Sequence, residues 1–246
     1  MISTKTITKT YNGQNVLDEV SLDVPAGKTI SLIGPSGCGK STLLRIMMGL
    51  ISPDSGRVEI NGQQLRSANV LELRREMGYV VQSGGLFPHL TARENLTLVS
   101  SHMGWKPEDE TRRIGQLAEL TSISESLLDR RAERLSGGQA QRISLMRALM
   151  LDPAIILLDE PLGSIDPLVR HELQNDLRAI FRELGKTVLL VTHDLGEAAF
   201  LGDTIVLMQT GKIIQQGSIR EIINQPASEF VRQFVTAQRS PLEDVG

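Results

Sequence analysis

Cysteine is almost missing from this chain: of 246 residues, only Cys38 is one. A lone thiol excludes an internal disulfide and a Cys-rich zinc or iron–sulfur centre, and it fits a reducing compartment. Aromatic residues amount to 3%, so the core must rest on Leu, Ile, Val and Met. No apolar run approaches the roughly 18–20 residues that a membrane-spanning helix needs. The start, Met1-Ile2-Ser3-Thr4-Lys5, lacks the apolar stretch of a signal peptide. An excess of charge is missing too, since 26 Lys and Arg against 29 Asp and Glu leave a net charge of −3. That balance gives no electrostatic case for a nucleic-acid backbone or an anionic membrane as the main partner. The length, with 40% hydrophobic residues, suits one large domain or two small ones with a sizeable core.

The informative part is the order of the apolar segments. Residues 29–33, 155–158, 187–191 and 204–208 read as strands, and the middle ones are apolar on successive residues. Such strands are buried on both faces, as in a parallel sheet covered by helices. Leu173, Leu177, Ile180, Phe181 and Leu184 share one helical face. Asp166-Pro167 opens that helix and Gly185 stops it. Gln209-Thr210-Gly211-Lys212 reads as a turn leading to a strand at Ile213-Ile214-Gln215. Residues 84–152 carry little β-branched alternation and many helix formers. They are expected to form a helical subdomain inserted into a core made of residues 1–83 and 153–220. Residues 221–246 are expected to be a helical tail that ends polar and frayed.

Gly34-Pro35-Ser36-Gly37-Cys38-Gly39-Lys40-Ser41-Thr42 matches G-x-x-x-x-G-K-[ST] between a strand and a helix. Glycines let the backbone curl so that successive N–H groups face an anion. The helix that follows adds its positive end. Lys40 is then the cation for β/γ-phosphates and the Ser41 hydroxyl a ligand for Mg²⁺. Cys38, beside Lys40 at a helix start, is expected to be a reactive thiol with its pKa below the free value of about 8.5. The alternative is a thiol turned into the core.

A second acidic feature follows at Asp159-Glu160, which end the apolar run 155–158. Carboxyl ends of strands form the ligand crevice of open α/β sheets. Asp159 is therefore expected near Mg²⁺, through water, and Glu160 as the group that polarises the attacking water. With Pro161 next, the pair also reads as a helix-capping acid.

Leu135-Ser136-Gly137-Gly138-Gln139, added to the loop and the acid pair, resembles the nucleotide-binding subunit of ATP-binding cassette (ABC) transporters over nearly the whole chain. The resemblance implies an α/β fold: a P-loop NTPase core with a mostly parallel sheet, an N-terminal antiparallel β portion and an inserted helical subdomain. It implies ATP and Mg²⁺ as ligands, with Tyr11 stacking on adenine and Gln82 a switch that touches Mg²⁺ and water. It makes His193 a γ-phosphate contact and Gly163-Ser164-Ile165-Asp166 the loop that meets the opposite subunit. Ser136, Gly137, Gly138 and Gln139 would close in trans over the γ-phosphate held by a second copy. Each has a plainer reading as well. Ser136-x-x-Gln139 is a capping box, Asp194-x-x-Glu197 after His193 is another cap, Gln82 is a polar strand end, and Tyr11 packs beside the Asn12-Gly13 turn. Two positions depart from the family pattern: Gly163 stands where serine is frequent, and Ala140 where glutamine is commoner.

Residues 82–95, from Gln82 through Leu86-Phe87-Pro88-His89 to Thr91-x-x-Glu94 and Asn95, resemble importers of the osmoprotectant and quaternary-amine group. In the family this segment receives a helix of the membrane subunit, so Phe87 is expected at the surface. Implied partners are integral-membrane permease subunits, a second copy and a separate substrate-binding protein, with no nucleic acid. The implied location is peripheral, on the cytoplasmic face of the inner membrane. The regulatory C-terminal domains of these relatives are expected to be missing after Gly246. Alternatives are a soluble ABC ATPase of translation or repair, an exporter, or the ATPase of a lipid-type system.

Overall fold

Ile and Thr dominate the first segment, and such side chains suit a pleated surface; it forms β1 (Ile2–Tyr11), paired antiparallel with β2 (Gln14–Val24) through a tight turn. Asn12 and Gly13, both at positive φ, make that turn. The computed structural model describes residues 1–82, 84–163 and 166–238. They divide into two compact units, Met1–Val70 with Thr187–Gly246, and Leu71–Lys186.

In the first unit the chain continues through β3 (Thr29–Ile33), α1 (Lys40–Met47), β4 (Ser55–Ile60) and β5 (Gln63–Gln64). Strand β4 pairs antiparallel with both β1 and β5, which completes a small antiparallel sheet. The chain leaves this unit within α2 (Val70–Arg75).

The second unit holds β6 (Met77–Val80), then α3 (Ala92–His102), α4 (Pro107–Leu120), α5 (Glu125–Leu128), a short 3₁₀ turn and α6 (Gly137–Leu149). It ends with β7 (Ile155–Asp159) and α7 (Pro167–Leu184). Strands β6 and β7 pair in parallel, and every residue of β7 is buried. Helix α6 packs against α3, β6 and α7. Leu173, Leu177, Ile180 and Phe181 are the buried stripe of α7, and Gly185 follows at φ 57°.

Back in the first unit come β8 (Thr187–Val191), α8 (Leu195–Leu201), β9 (Thr204–Gln209), β10 (Lys212–Gly217), α9 (Ile219–Asn224) and α10 (Glu229–Gln238). Strand β3 lies between β8 and β9, parallel to both, while β10 folds back antiparallel on β9. Both β3 and β8 are buried throughout, as continuous apolar runs require. Ile33, Leu195, Ala198, Ile205, Leu207, Ile222, Val231 and Val235 make one buried cluster that seats α8 and α10. The fold is thus α/β, with parallel strands and a separate antiparallel sheet. Among the described residues no helix is long and apolar enough to cross a membrane.

Candidate active site

The loop between β3 and α1 is shaped by close backbone packing. Gly39 caps α1 at φ 107°, and a Cβ there would stand 2.6 Å from the Val16 carbonyl. No other residue type fits that position without moving the backbone. Cys38 is pinned to the β9–β10 turn, its carbonyl accepting from the Gly211 N–H at 3.1 Å. Lys40 is 5% exposed and its ammonium donates to the Gly34 and Pro35 carbonyls at 2.7 and 2.9 Å. A buried cation is thereby held across the loop, while Ser36 and Gly37 stand exposed and a Cβ on Gly37 would meet open space. Ser41 and Thr42 are half-buried on the first turn of α1.

Cys38 does not behave as its sequence position suggests. The thiol is 6% exposed and burial pushes its pKa up, against the lowering pull of Lys40. Desolvation of the thiolate outweighs the neighbouring cation, so the expected reactive, low-pKa thiol is corrected to a buried one.

Two further residues of the first unit were expected to serve the nucleotide. Tyr11, at the end of β1, is 44% exposed, with the Lys9 ammonium 5.4 Å from its ring centroid. His193 is exposed between β8 and α8. The helix after it is capped by Asp194, whose carboxylate accepts from the Glu197 N–H at 2.8 Å. Glu197 itself does not close a capping box; its carboxylate accepts instead from the Thr192 hydroxyl at 2.8 Å.

In the second unit the acid pair splits by environment. Asp159 is the buried last residue of β7, at 3% exposure. Glu160 is half-buried and takes φ 47°, in the left-handed region. For a residue with a Cβ, ahead of a proline, such a backbone costs about 1–3 kcal/mol and persists where the surroundings impose it. Its carboxylate accepts from the Gln82 side-chain amide at 3.0 Å, so the structure brings these two predicted residues together. The Glu160 carbonyl accepts from the Gly163 N–H at 3.2 Å, and a Cβ on Gly163 would make only ordinary contacts near 3.6 Å. A serine would therefore fit there. Ser164 and Ile165 of the expected contact loop lie outside the described residues.

At the start of α6 the Ser136 hydroxyl accepts from the Gln139 N–H at 3.3 Å, and the Gln139 side chain accepts from the Ser136 N–H at 3.0 Å. This reciprocal cap uses a lone pair of Ser136, leaving its O–H as a donor. The two glycines differ. Gly137 is exposed with room for a Cβ, whereas a Cβ on Gly138 would stand 2.6 Å from Val169.

Sequence reasoning missed what holds the segment after Gln82. Ser144 and Arg147 on α6 donate to the Gly84 and Gly85 carbonyls at 2.7 to 3.0 Å. Burial lowers the pKa of Arg147. Asn95, fully buried on α3, accepts from the Phe87 N–H at 2.8 Å and donates to the Phe87 and Thr91 carbonyls at 3.1 and 2.9 Å. The loop so clamped presents Phe87 at 49% exposure. An asparagine on the same helical face as Ala92, beside Leu96, was the available signal.

A buried lysine in a glycine loop at a helix start, in one chain with a parallel strand ending in two carboxylates, is the make-up of a P-loop nucleotide-binding protein. Residues 17–163 match the family described as ABC transporter, and the chain belongs to that family. It is 42% identical over 240 residues to the glycine betaine/carnitine/choline transport ATP-binding protein OpuCA of Bacillus subtilis (strain 168), covering 97% of this chain and 63% of the relative. The chain thus spans under two thirds of that relative's length. It is also 42% identical over 234 residues to the glycine betaine uptake system ATP-binding protein YehX of Escherichia coli (strain K12), covering 95% of this chain and 76% of the relative. A solved dimeric structure of a bacterial ABC transporter cassette superposes with a TM-score of 0.81 at 34% identity, covering 89% of this chain and 99% of the cassette.

Proposed function

We propose that the chain is the ATP-hydrolysing subunit of an importer, paired with a second copy and seated on integral-membrane permease subunits. The observation that carries this is the strained Glu160, held with its carboxylate 3.0 Å from the Gln82 amide. A half-buried carboxylate at a strand end, oriented by a neutral amide, is built to accept a proton from water. Lys40 and the N–H groups of residues 36–41 bind the β/γ-phosphates, Tyr11 supports the adenine, and His193 contacts the γ-phosphate. Ser41, Gln82 and, through water, Asp159 are all oxygen donors, which suits Mg²⁺ as a hard cation. Bound with ATP, that ion neutralises charge on the transferred phosphoryl group. The Ser136 hydroxyl and the Gly137 and Gly138 amides serve the partner copy's phosphates, so ATP joins the two copies.

We place residues 84–152 in a helical subdomain that presents this second phosphate site and the permease-facing loop. Support for docking comes from the exposed Leu71, Phe87, Leu98 and Val99 of the second unit. Leu98 and Val99 are neighbours on α3, and a contiguous exposed apolar patch is what marks an interaction surface. The solute is proposed to be a quaternary amine of the glycine betaine, choline or carnitine kind, delivered by a separate binding protein. What the two similar curated proteins transport supports this choice. The chain would work peripherally at the cytoplasmic face of the membrane.

The test is reconstitution with the cognate permease and binding protein in vesicles, following ATP-driven uptake of labelled glycine betaine. Phe87→Asp should abolish uptake and leave the slow ATPase of the isolated subunit intact. Undiminished uptake by the folded variant, checked by circular dichroism, would remove Phe87 from the docking surface. Absence of any ATP-driven uptake by the wild type would remove the importer assignment.

A further inference from the structure

The end of α10 carries a residue that a frayed tail would not need. Val231 and Val235 of α10 are buried against the cluster that contains Leu195 and Ala198 of α8. Gln238 follows on the same helical face, three residues after Val235 and seven after Val231. Its side-chain N–H donates to the His193 carbonyl at 3.1 Å, and its oxygen accepts from the Leu195 N–H at 3.4 Å. The two partners have opposite polarity, so they fix which way round the amide lies. The Leu195 N–H is one of the orphan donors at the start of α8. One amide therefore brackets the backbone on both sides of Asp194, beginning at the carbonyl of His193 itself.

The same loop is held from within. Asp194 caps α8 at 2.8 Å, the Asp194 N–H donates to the Thr192 hydroxyl at 3.1 Å, and that hydroxyl donates to Glu197. These bonds fix residues 192 and 194 against α8. The carbonyl of His193 and the amide of Leu195 are fixed by Gln238 from outside.

We propose that Gln238 is a positioning residue for His193: it sets the backbone of the histidine loop and ties it to the C-terminal helix. Displacement of α10 then reaches the γ-phosphate contact with no change in the phosphate loop. This rests on the role given to His193 above.

Gln238→Met keeps the length and packing of the side chain and removes both hydrogen bonds. Loss of a bond worth about 1 kcal/mol predicts roughly fivefold faster hydrogen exchange at the Leu195 amide and a comparable fall in kcat. KM for ATP and the thermal midpoint should stay near the wild type, and Gln238→Glu, which keeps the acceptor for Leu195, should recover exchange protection but not kcat. Unchanged exchange at Leu195 would overturn the clamp. Faster exchange with unchanged kcat, in a protein where His193→Ala is inactive, would overturn positioning of the histidine. Full activity of His193→Ala would instead remove His193 from the chemistry, while the exchange measurement still decides the clamp.

Discussion

The starts of α1 and α6 are built from the same parts, a glycine-rich turn feeding a helix N-terminus, yet they are finished differently. The start of α1 has no side-chain cap; Gly39 takes its place, and the buried Lys40 supplies a full positive charge. The start of α6 is closed by a Ser136–Gln139 capping box and has no acidic residue in its first turn and no lysine beside it. On the proposed function the first would hold a polyanion by itself. The second offers neutral donors and a partial dipole charge, which on the proposed function would sense a phosphate brought to it but be too little to capture one. Under the function proposed above, such a pair of unequal sites would make binding belong to one copy and closure to two.

The largest effect expected is on the chemistry that both helix starts are proposed to serve. Glu160→Gln keeps the shape and the contact with Gln82 but removes the proton acceptor, so turnover should fall about 10²- to 10⁴-fold. ATP affinity should be retained, and an ATP-held pair of copies should accumulate on size-exclusion chromatography. A monomer under the same conditions would mean that the α6 start does not close on a partner's nucleotide.

Next comes the comparison itself. Lys40→Ala removes a charge-assisted contact worth about 1.5–3 kcal/mol, so ATP should bind roughly 10- to 150-fold more weakly. Ser136→Arg should leave nucleotide titration of the subunit unchanged and block phosphate release. Equal loss of binding in both variants would break the division between a capturing site and a sensing one.

Much of this was readable from sequence because it is local. Strands at residues 29–33 and 187–191 carry buried apolar runs and have the expected bounds. The boxes at Ser136 and Thr91 form because cap and partner are three residues apart. The β9–β10 turn follows from its own Thr210-Gly211, although β10 extends to Gly217, past the expected Gln215, where its pairing with β9 carries it on. Of the site, the nearness of Gln82 and Glu160 follows from the parallel pairing of β6 with β7, which sequence spacing does not show. The clamps by Arg147 and Gln238 are long-range bonds to backbone carbonyls and amides, and those by Asn95 reach backbone groups four and eight residues away. Backbone partners carry no residue identity, so no motif names them; only the position of Asn95 on the Ala92 face of α3 left a trace in the sequence. The direction of Cys38 was misjudged for the same reason: a helix start and a lysine are visible in sequence, and burial is not.

A smaller effect separates the two signature glycines. Gly138→Ala places a methyl group 2.6 Å from Val169 and should cost about 1–3 kcal/mol of stability, read as a lower thermal midpoint. Gly137→Ala meets open space and should leave the midpoint unchanged while slowing hydrolysis, since the methyl would stand where the proposed closure brings a partner's phosphate. A shift of similar size in both would mean that Gly137 also packs within its own chain.

The smallest effect is at Cys38, inside the more strongly charged of the two sites. Its thiol is buried beside Lys40, and burial raises the pKa more than the ammonium lowers it. A group whose folded pKa is raised stabilises the fold fully below its unfolded value, about 8.5, and loses that contribution as pH rises through the folded value. Stability should therefore decline in mild alkali in the wild type and less so in Cys38→Ser, compared by denaturant unfolding at pH 7 and pH 9.5. At pH 7 the thiol is protonated and covered, so a maleimide should label the folded protein slowly with or without Mg-ATP and rapidly once denaturant is added. Cys38→Ser should keep ATP hydrolysis within about twofold, since no phosphate contact is assigned to the sulfur, although a hydroxyl in the buried site can lower stability by about 1–3 kcal/mol. Rapid labelling of the folded protein that Mg-ATP suppresses would instead place the thiol at the phosphates and restore it to the reactive side of the loop.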